Sequence, residues 1–255
     1  MTIRMGPLIN MNDPRETEPW LLGWNFEDQQ LFTELANDAS KRDALSRDIN
    51  ERLKKGCNLL CLTEDRPLEG QVDIVQGFAH DRMWAQYADN HTGICIFFDK
   101  EKLTARMKEH FARKAGKLFK ESVRYTQELD FGAIHIDGYK GVQKLQAVLV
   151  KHRHEYAEKL YMTKTPDWRD EHEYRFLWIS SSRRPSLVEF VPVHGCITDI
   201  CVGARFPKAY EINVEAFAKR MNCRLHRIIY LQGKLMISPF DRKYYEKIPQ
   251  TISGW

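Results

Sequence analysis

Glu171, Glu173 and Arg175 stand at alternate positions of the segment Trp168-Arg169-Asp170-Glu171-His172-Glu173-Tyr174-Arg175-Phe176-Leu177-Trp178. In an extended chain these three share one face, and His172, Tyr174 and Phe176 share the other. Two carboxylates about 7 Å apart along one face, beside a guanidinium, take split pKa values when partly buried. Such a pair suits stabilising a developing positive charge or activating a hydroxyl. The competing reading is a solvated Glu/Glu/Arg row on an edge strand, which discourages aggregation. Phe176, Leu177 and Trp178 argue that the strand runs on into a core, and both readings stay open.

A second concentration of chemistry runs from Ala79 to Asp99, with Trp84, Tyr87 and His91 ahead of Ile94-Cys95-Ile96-Phe97-Phe98. Met83, Trp84, Tyr87 and Ala88 fall at helical spacing, so one side of this helix can bury. Asn90 and Gly93 can stop it, which sets His91 in a turn at the mouth of a strand. Binding groups are commonly mounted on such turns. The plainer account is a helix-to-strand junction whose aromatics fill a core.

Other constellations carry weaker signals. Asn10-Met11-Asn12-Asp13-Pro14-Arg15-Glu16 favours a turn, because Asn and Asp side chains bond neighbouring backbone and Pro fixes its φ. Asp13 and Glu16 could line a cleft, or form a turn with a salt-bridged exit. A further alternative is a metal-assisted nuclease or hydrolase, with Asp13, Glu16, Glu171 and Glu173 around a hard cation and His91 as base. Lys100 to Arg124 holds nine Lys/Arg against three Glu. It reads as one helix with Asp99 as N-cap and Leu103, Met107, Phe111, Ala115 and Leu118 as its apolar face. Such a helix can lie along nucleic acid or an acidic partner, which makes a non-enzymatic binding module a further alternative, or it can be a solvated face. There is no glycine-rich phosphate loop and no Gly-x-Ser-x-Gly elbow.

The elements that must hold these residues follow from patterning. Residues 1 to 24, with Pro7, Pro14 and Pro19, read as irregular. Residues 26 to 55 are helix-friendly, and Asn58 to Thr63 is a short strand. Tyr139 to Thr163 reads as the longest helix, ended by Pro166. Strands are expected at 121–125, 173–179, 189–193, 196–202 and 224–231, with a helix at 210–221. The whole chain, 1–255, is expected to form one α+β domain with a split, antiparallel-rich sheet core and flanking helices. The net charge of +4, 43% hydrophobic and 29% charged residues fit an ordinary globular chain. No run approaches 18 apolar residues, and no signal-peptide pattern opens the chain. The six cysteines form no CxxC pair. Buried free thiols are expected rather than zinc, no metal site is assigned, and the expected compartment is a reducing cytoplasm.

Asn12-Asp13-Pro14-Arg15-Glu16, then Met83-Trp84 through Tyr87-Ala88, His91, Gly93 and Cys95, then Trp168 with Glu171, Glu173, Tyr174 and Arg175, together resemble one bacterial family. It is the family called domain of unknown function twenty-nine seventy-one. Ile200-Cys201-Val202-Gly203 also fits its pattern. That family is in turn distantly similar to the ADP-ribosyltransferase superfamily. The resemblance implies an ADP-ribosyltransferase-like fold and NAD as the substrate cofactor, with a nucleic-acid or protein acceptor and no membrane partner. A role in toxicity or phage defence is consistent with it. It implies Glu173 as the catalytic carboxylate with Glu171 as its partner, and Tyr87 as the aromatic that stacks on nicotinamide. Trp84, His91, Arg175, Arg82 and Asn12 would line the cofactor. A His/Tyr-Thr/Ser strand that usually precedes Asn-Asp-Pro in that family is not found in this chain.

Overall fold

The computed structural model describes residues 1–21, 23–25, 29–67, 74–128, 133–135 and 142–241. In chain order the first elements are β1 (Thr2–Pro7), α1 (Pro14–Thr17), β2 (Gly23–Asn25), α2 (Gln29–Asn37) and α3 (Ala39–Lys54). There follow β3 (Cys57–Thr63), β4 (Arg66–Pro67), β5 (Ile74–Val75), α4 (Asp81–Tyr87), β6 (Ile94–Phe98) and α5 (Lys100–Phe111). Next come β7 (Gly116–Ser122), β8 (Arg124–Tyr125), β9 (Ala133–His135), α6 (Val142–Glu155), α7 (Ala157–Tyr161) and β10 (Thr163–Lys164). Then come β11 (Glu173–Ser180), β12 (Glu189–Pro192), β13 (Ile197–Val202), α8 (Glu211–Met221), β14 (Arg224–Leu231) and β15 (Lys234–Pro239). This is an α+β architecture with antiparallel-rich sheets. The described chain divides into two compact units, residues 1–74 with 106–192 and residues 75–105 with 193–255.

The first unit is built on a five-stranded sheet in the order β12-β1-β3-β11-β7, every neighbouring pair antiparallel. Cys57, Leu59, Leu177 and Ile179 on one face meet Leu45, Ile49 and Leu53 of α3, Leu145 and Leu149 of α6, and Leu160 and Tyr161 of α7. That face is buried because period-2 apolar residues on the strands meet a helical apolar stripe. β11 is fully buried from Glu173 to Ile179 and paired on both sides, so the Glu/Arg row does not lie on an edge strand.

The second unit carries the sheet β15-β14-β13-β6. β13 and β14 run parallel, joined through α8, as a parallel pair requires. Ile200 and Val202 pack with Val214 and Ala218 of α8 on one face. Cys201 packs with Trp84, Ala88, Phe78 and Ile228 on the other.

Three expectations are corrected. Residues 1 to 24 are not irregular: Thr2–Pro7 is a strand, paired with β12 and β3, and Met5 is buried. Pro7 closes it, paired with Asn58 of β3. The basic stretch is not one helix to Arg124. α5 starts on the expected cap, Asp99 Oδ1 accepting from the N–H groups of Glu101 and Lys102 at 3.1 and 3.0 Å, but ends at Phe111. Gly116 then opens β7, whose Leu118 and Phe119 pair with Trp178 and Leu177, so the basic residues divide between a helix and a strand. The helix expected at 139–163 is two helices broken at Tyr156, with residues 139–141 outside the described residues, and α3 is longer than either.

Of the cysteines, Cys57, Cys196 and Cys201 are buried as expected, but Cys61 is exposed, and all six are free thiols. Among the described residues no three His, Cys, Asp or Glu side chains are grouped to hold a metal ion. Among them, too, no helix is long and apolar enough to cross a membrane.

Candidate functional site

In the first unit the chain gathers five charged side chains in a buried cluster. Arg175, fully buried at the centre of β11, donates Nε to Glu173 Oε1 at 2.5 Å and Nη2 to Glu173 Oε2 at 3.0 Å. Its Nη1 donates to Tyr161 O at 2.7 Å and also to Glu16 Oε1. Glu16 comes from α1, a helix begun by Asp13, whose Oδ1 accepts from the Arg15 N–H at 3.0 Å. Lys164, at the end of β10, donates to Glu171 Oε2 at 2.7 Å and lies 2.9 Å from Glu173 Oε2. All five are less than a tenth exposed.

Glu171 does not reach this cluster along a strand, as the alternate spacing suggests. It ends a 3-10 turn, Pro166–Glu171, and His172 then takes a left-handed conformation (φ 43°) before β11 begins. The turn, started by Pro166, folds Glu171 back onto Lys164. The expected extended row is therefore replaced by a bend, with Glu171 and Glu173 bridged by one ammonium.

The expected splitting of carboxylate pKa values is found in a different pair. Burial alone would raise Glu173, but the Arg175 guanidinium and Lys164 hold it ionised, at about 2. Burial pushes Glu16 up, more than Arg175 and Lys164 pull it down, and among the described residues its Oε2 has no hydrogen-bond partner. Two carboxylates on one guanidinium thus sit in opposite states of proton affinity. Tyr125 completes this region: its hydroxyl accepts from the Glu173 N–H at 2.9 Å, and burial lifts its pKa to about 12. Lys164 and Tyr125 have no sequence signature, since neither lies in a motif. The parallel pairing of β10 with β8 brings them beside β11.

The second unit holds the aromatic group. Trp84 is buried and spends its indole N–H on Phe78 O at 2.7 Å, so its ring is core. Tyr87, on the same helix, is 52% exposed, and Arg82 is exposed too. Beyond α4, Asp89, Asn90 and His91 take φ values of 46°, 51° and 70°, three non-glycine residues in succession in the left-handed region. Each such residue stores on the order of 1 kcal/mol of backbone strain. The turn is held by the His91 N–H on Trp84 O (3.2 Å) and the Arg205 N–H on His91 O (3.0 Å). Gly203 permits the approach, because a Cβ there would lie 2.0 Å from His91 O. The His91 ring stacks on Trp84 (6.4 Å between centroids, 10°) and meets Tyr230 edge-on at 6.3 Å. Tyr230 donates its hydroxyl to Asp81 Oδ1 at 2.6 Å.

Glu171, Glu173 and Arg175 are therefore together in the first unit. Trp84, Tyr87 and His91 are neighbours in the second, with Arg82 on the same helix. Asn12 belongs to the first unit and is exposed just ahead of Asp13.

Residues 83–176 match the family model described as Protein of unknown function (DUF2971). The likeness to that family read from the sequence is thus found over that segment. It contains Trp84, Tyr87, His91, Glu171, Glu173 and Arg175, while Asn12 to Glu16, Arg82 and Ile200 to Gly203 lie outside it. No curated protein and no solved structure gives a match.

Proposed function

We propose that this protein uses NAD as a substrate and breaks its N-glycosidic bond, transferring ADP-ribose to a macromolecule or to water, on an ADP-ribosyltransferase-like fold. The bond from the ribose carbon to the pyridinium nitrogen breaks, nicotinamide leaves with the electron pair, and an acceptor lone pair closes the new bond while its proton goes to solvent. The transition state resembles an oxocarbenium ion, so a fixed anion near the ribose lowers its energy. One observation carries the reading: Glu173, at the head of a central strand, is kept ionised at about 2, with Glu171 bridged to it through Lys164. The exposed Tyr87 ring beside a strained, imidazole-bearing turn supports it, because an aromatic face attracts a cationic ring with about 1–2 kcal/mol.

The experiment is nicotinamide release from NAD by the full chain and by Tyr87→Phe, Tyr87→Ala and Glu171→Gln. Release that persists in Tyr87→Phe and is lost in Tyr87→Ala and Glu171→Gln is the expected result. A wild-type chain that neither binds NAD nor releases nicotinamide overturns it.

A second reading is favoured by the saturation of Glu173, both of whose oxygens are taken by Arg175 and Lys164. On that reading the cluster is a brace tying α1 and β10 to β11. Glu173→Gln separates the two: a brace loses melting temperature and activity in proportion, whereas a catalytic carboxylate loses activity at temperatures where the variant is still folded. The metal-assisted alternative gains no support from the described residues. The binding-module alternative loses its continuous basic helix.

A further inference from the structure

Another buried cation of the first unit, Lys54, is compensated quite differently from Arg175. Lys54, at the end of α3, is 6% exposed. Its ammonium donates to Thr17 O at 2.9 Å and to Glu18 O, and stands 4.7 Å over the Trp20 ring. Among the described residues no carboxylate is paired with it. Two carbonyls and a ring face compensate a buried charge only in part, since a desolvated ammonium is costly without a counter-anion. Burial accordingly lowers the Lys54 pKa to about 8, against the fields of Glu18 and Glu16.

Lys54 lines a cavity of about 420 Å³, within the size range of small-molecule sites. Pro7, Ile9, Pro19 and Leu187 give it apolar walls. Arg47 and Lys55 lie at its exposed rim with Glu51, which leaves the lining net cationic. Asn58 also lines it and is 1% exposed. Its Nδ2 donates to Leu187 O at 2.8 Å, which fixes the amide, and among the described residues its buried Oδ1 has no donor. The Pro185-Ser186-Leu187 wall is seated on Gly56: a Cβ at that residue, whose φ is +74°, would lie 2.8 Å from Pro185 Cβ. The lining thus combines a cation only partly compensated, a buried acceptor without a donor among the described residues, and apolar walls.

We propose that this cavity binds a small organic anion, a carboxylate or phosphate on an apolar body that also carries a hydroxyl or amino group. Lys54 is the counter-charge for the anion, Asn58 Oδ1 accepts from the ligand's own donor, and Arg47 and Lys55 draw the anion in. This site does not depend on the glycosidic reading.

The test is a titration of the isotope-labelled full chain with 2-hydroxybenzoate, phenyl phosphate and benzyl alcohol, followed by amide shifts. Saturable shifts at Asn58 and Leu187 with one or both anions, and none with benzyl alcohol, are expected. The tighter anion identifies the source of the charge. Lys54→Met should weaken that anion about tenfold, the loss of roughly one charged hydrogen bond. Leu187→Asp guards against a folding defect, because Leu187 is exposed and its side chain holds nothing up, yet the new carboxylate repels an anion from the wall. Binding that is unchanged in both variants, or no saturable shift with either anion, overturns the assignment.

Discussion

The two chemically loaded regions are stabilised by opposite means. In the first unit, three carboxylates and two cations are buried and tied together, with Arg175 spending three nitrogens on two carboxylates and a carbonyl. In the second, the turn after α4 is held by backbone bonds, aromatic stacking and three left-handed residues. A charge cluster withdrawn from water depends on every partner, because removing one leaves another charge bare. A strained turn depends on the space around it. Function is therefore hard to probe at Glu173 without disturbing the fold, and simple to probe at Tyr87.

The largest expected effect breaks the charged side of this contrast. Arg175→Leu leaves Glu16 and Glu173 buried without their guanidinium, and should cost about 3–5 kcal/mol in denaturant unfolding. A loss below about 1 kcal/mol would show the cluster to be hydrated and loosely held.

Next in size is a pH effect peculiar to the first unit. Glu173 is lowered from 4.5 to about 2 by its cations, so its contribution is complete above 4.5 and disappears as pH falls toward 2. The advantage of the wild type over Glu173→Gln should shrink by about 3 kcal/mol across that window, at 1.36 kcal/mol per unit. Glu16, raised instead of lowered, runs the other way, and the Glu173 charge is one cause of its rise, so the difference reports the coupled pair.

Gly203→Ala tests the second unit. Its methyl would meet the His91 carbonyl, and backbone cannot give way as a flexible side chain can. A cost of about 1–3 kcal/mol and displaced His91 and Trp84 resonances are expected. Unchanged resonances would mean that the turn is not fixed by this approach.

The smallest effect on stability belongs to Tyr87→Ala, within about 0.5 kcal/mol, because the ring is half exposed. Full stability together with lost NAD binding would sharpen the contrast. A large loss of stability would remove it.

Much of this could be read from residue order. The cap at Asp99, the strands from Asn58, Glu173 and Arg224, and the helix that carries Trp84 and Tyr87 follow from local patterns. The end of α5 was not legible, since Lys117, Leu118, Phe119 and Lys120 do not alternate and the string of basic residues runs on past Gly116 into β7. β1 is hidden by its shortness and by Gly6-Pro7, and it becomes a strand because β3 and β12 offer it partners. The burial of Arg175 was half legible: Phe176, Leu177 and Trp178 mark an interior strand, yet nothing nearby says which carboxylates would meet the guanidinium.

Sequence alone determined which segments alternate, which cap and which turn, because those preferences act over a few residues. It also set Glu171, Glu173 and Arg175 at alternate positions of one segment, and Tyr87 and His91 four residues apart in another. Tertiary structure decided charge states and company. Glu16 and Lys164 come from distant segments to meet Arg175 and Glu173, a bend at His172 replaces the expected straight row, and Lys54 is left beside a cavity with carbonyls where Arg175 has carboxylates. Proton affinity and burial depend on the field of every neighbour within a few ångströms, and those neighbours are chosen by the fold.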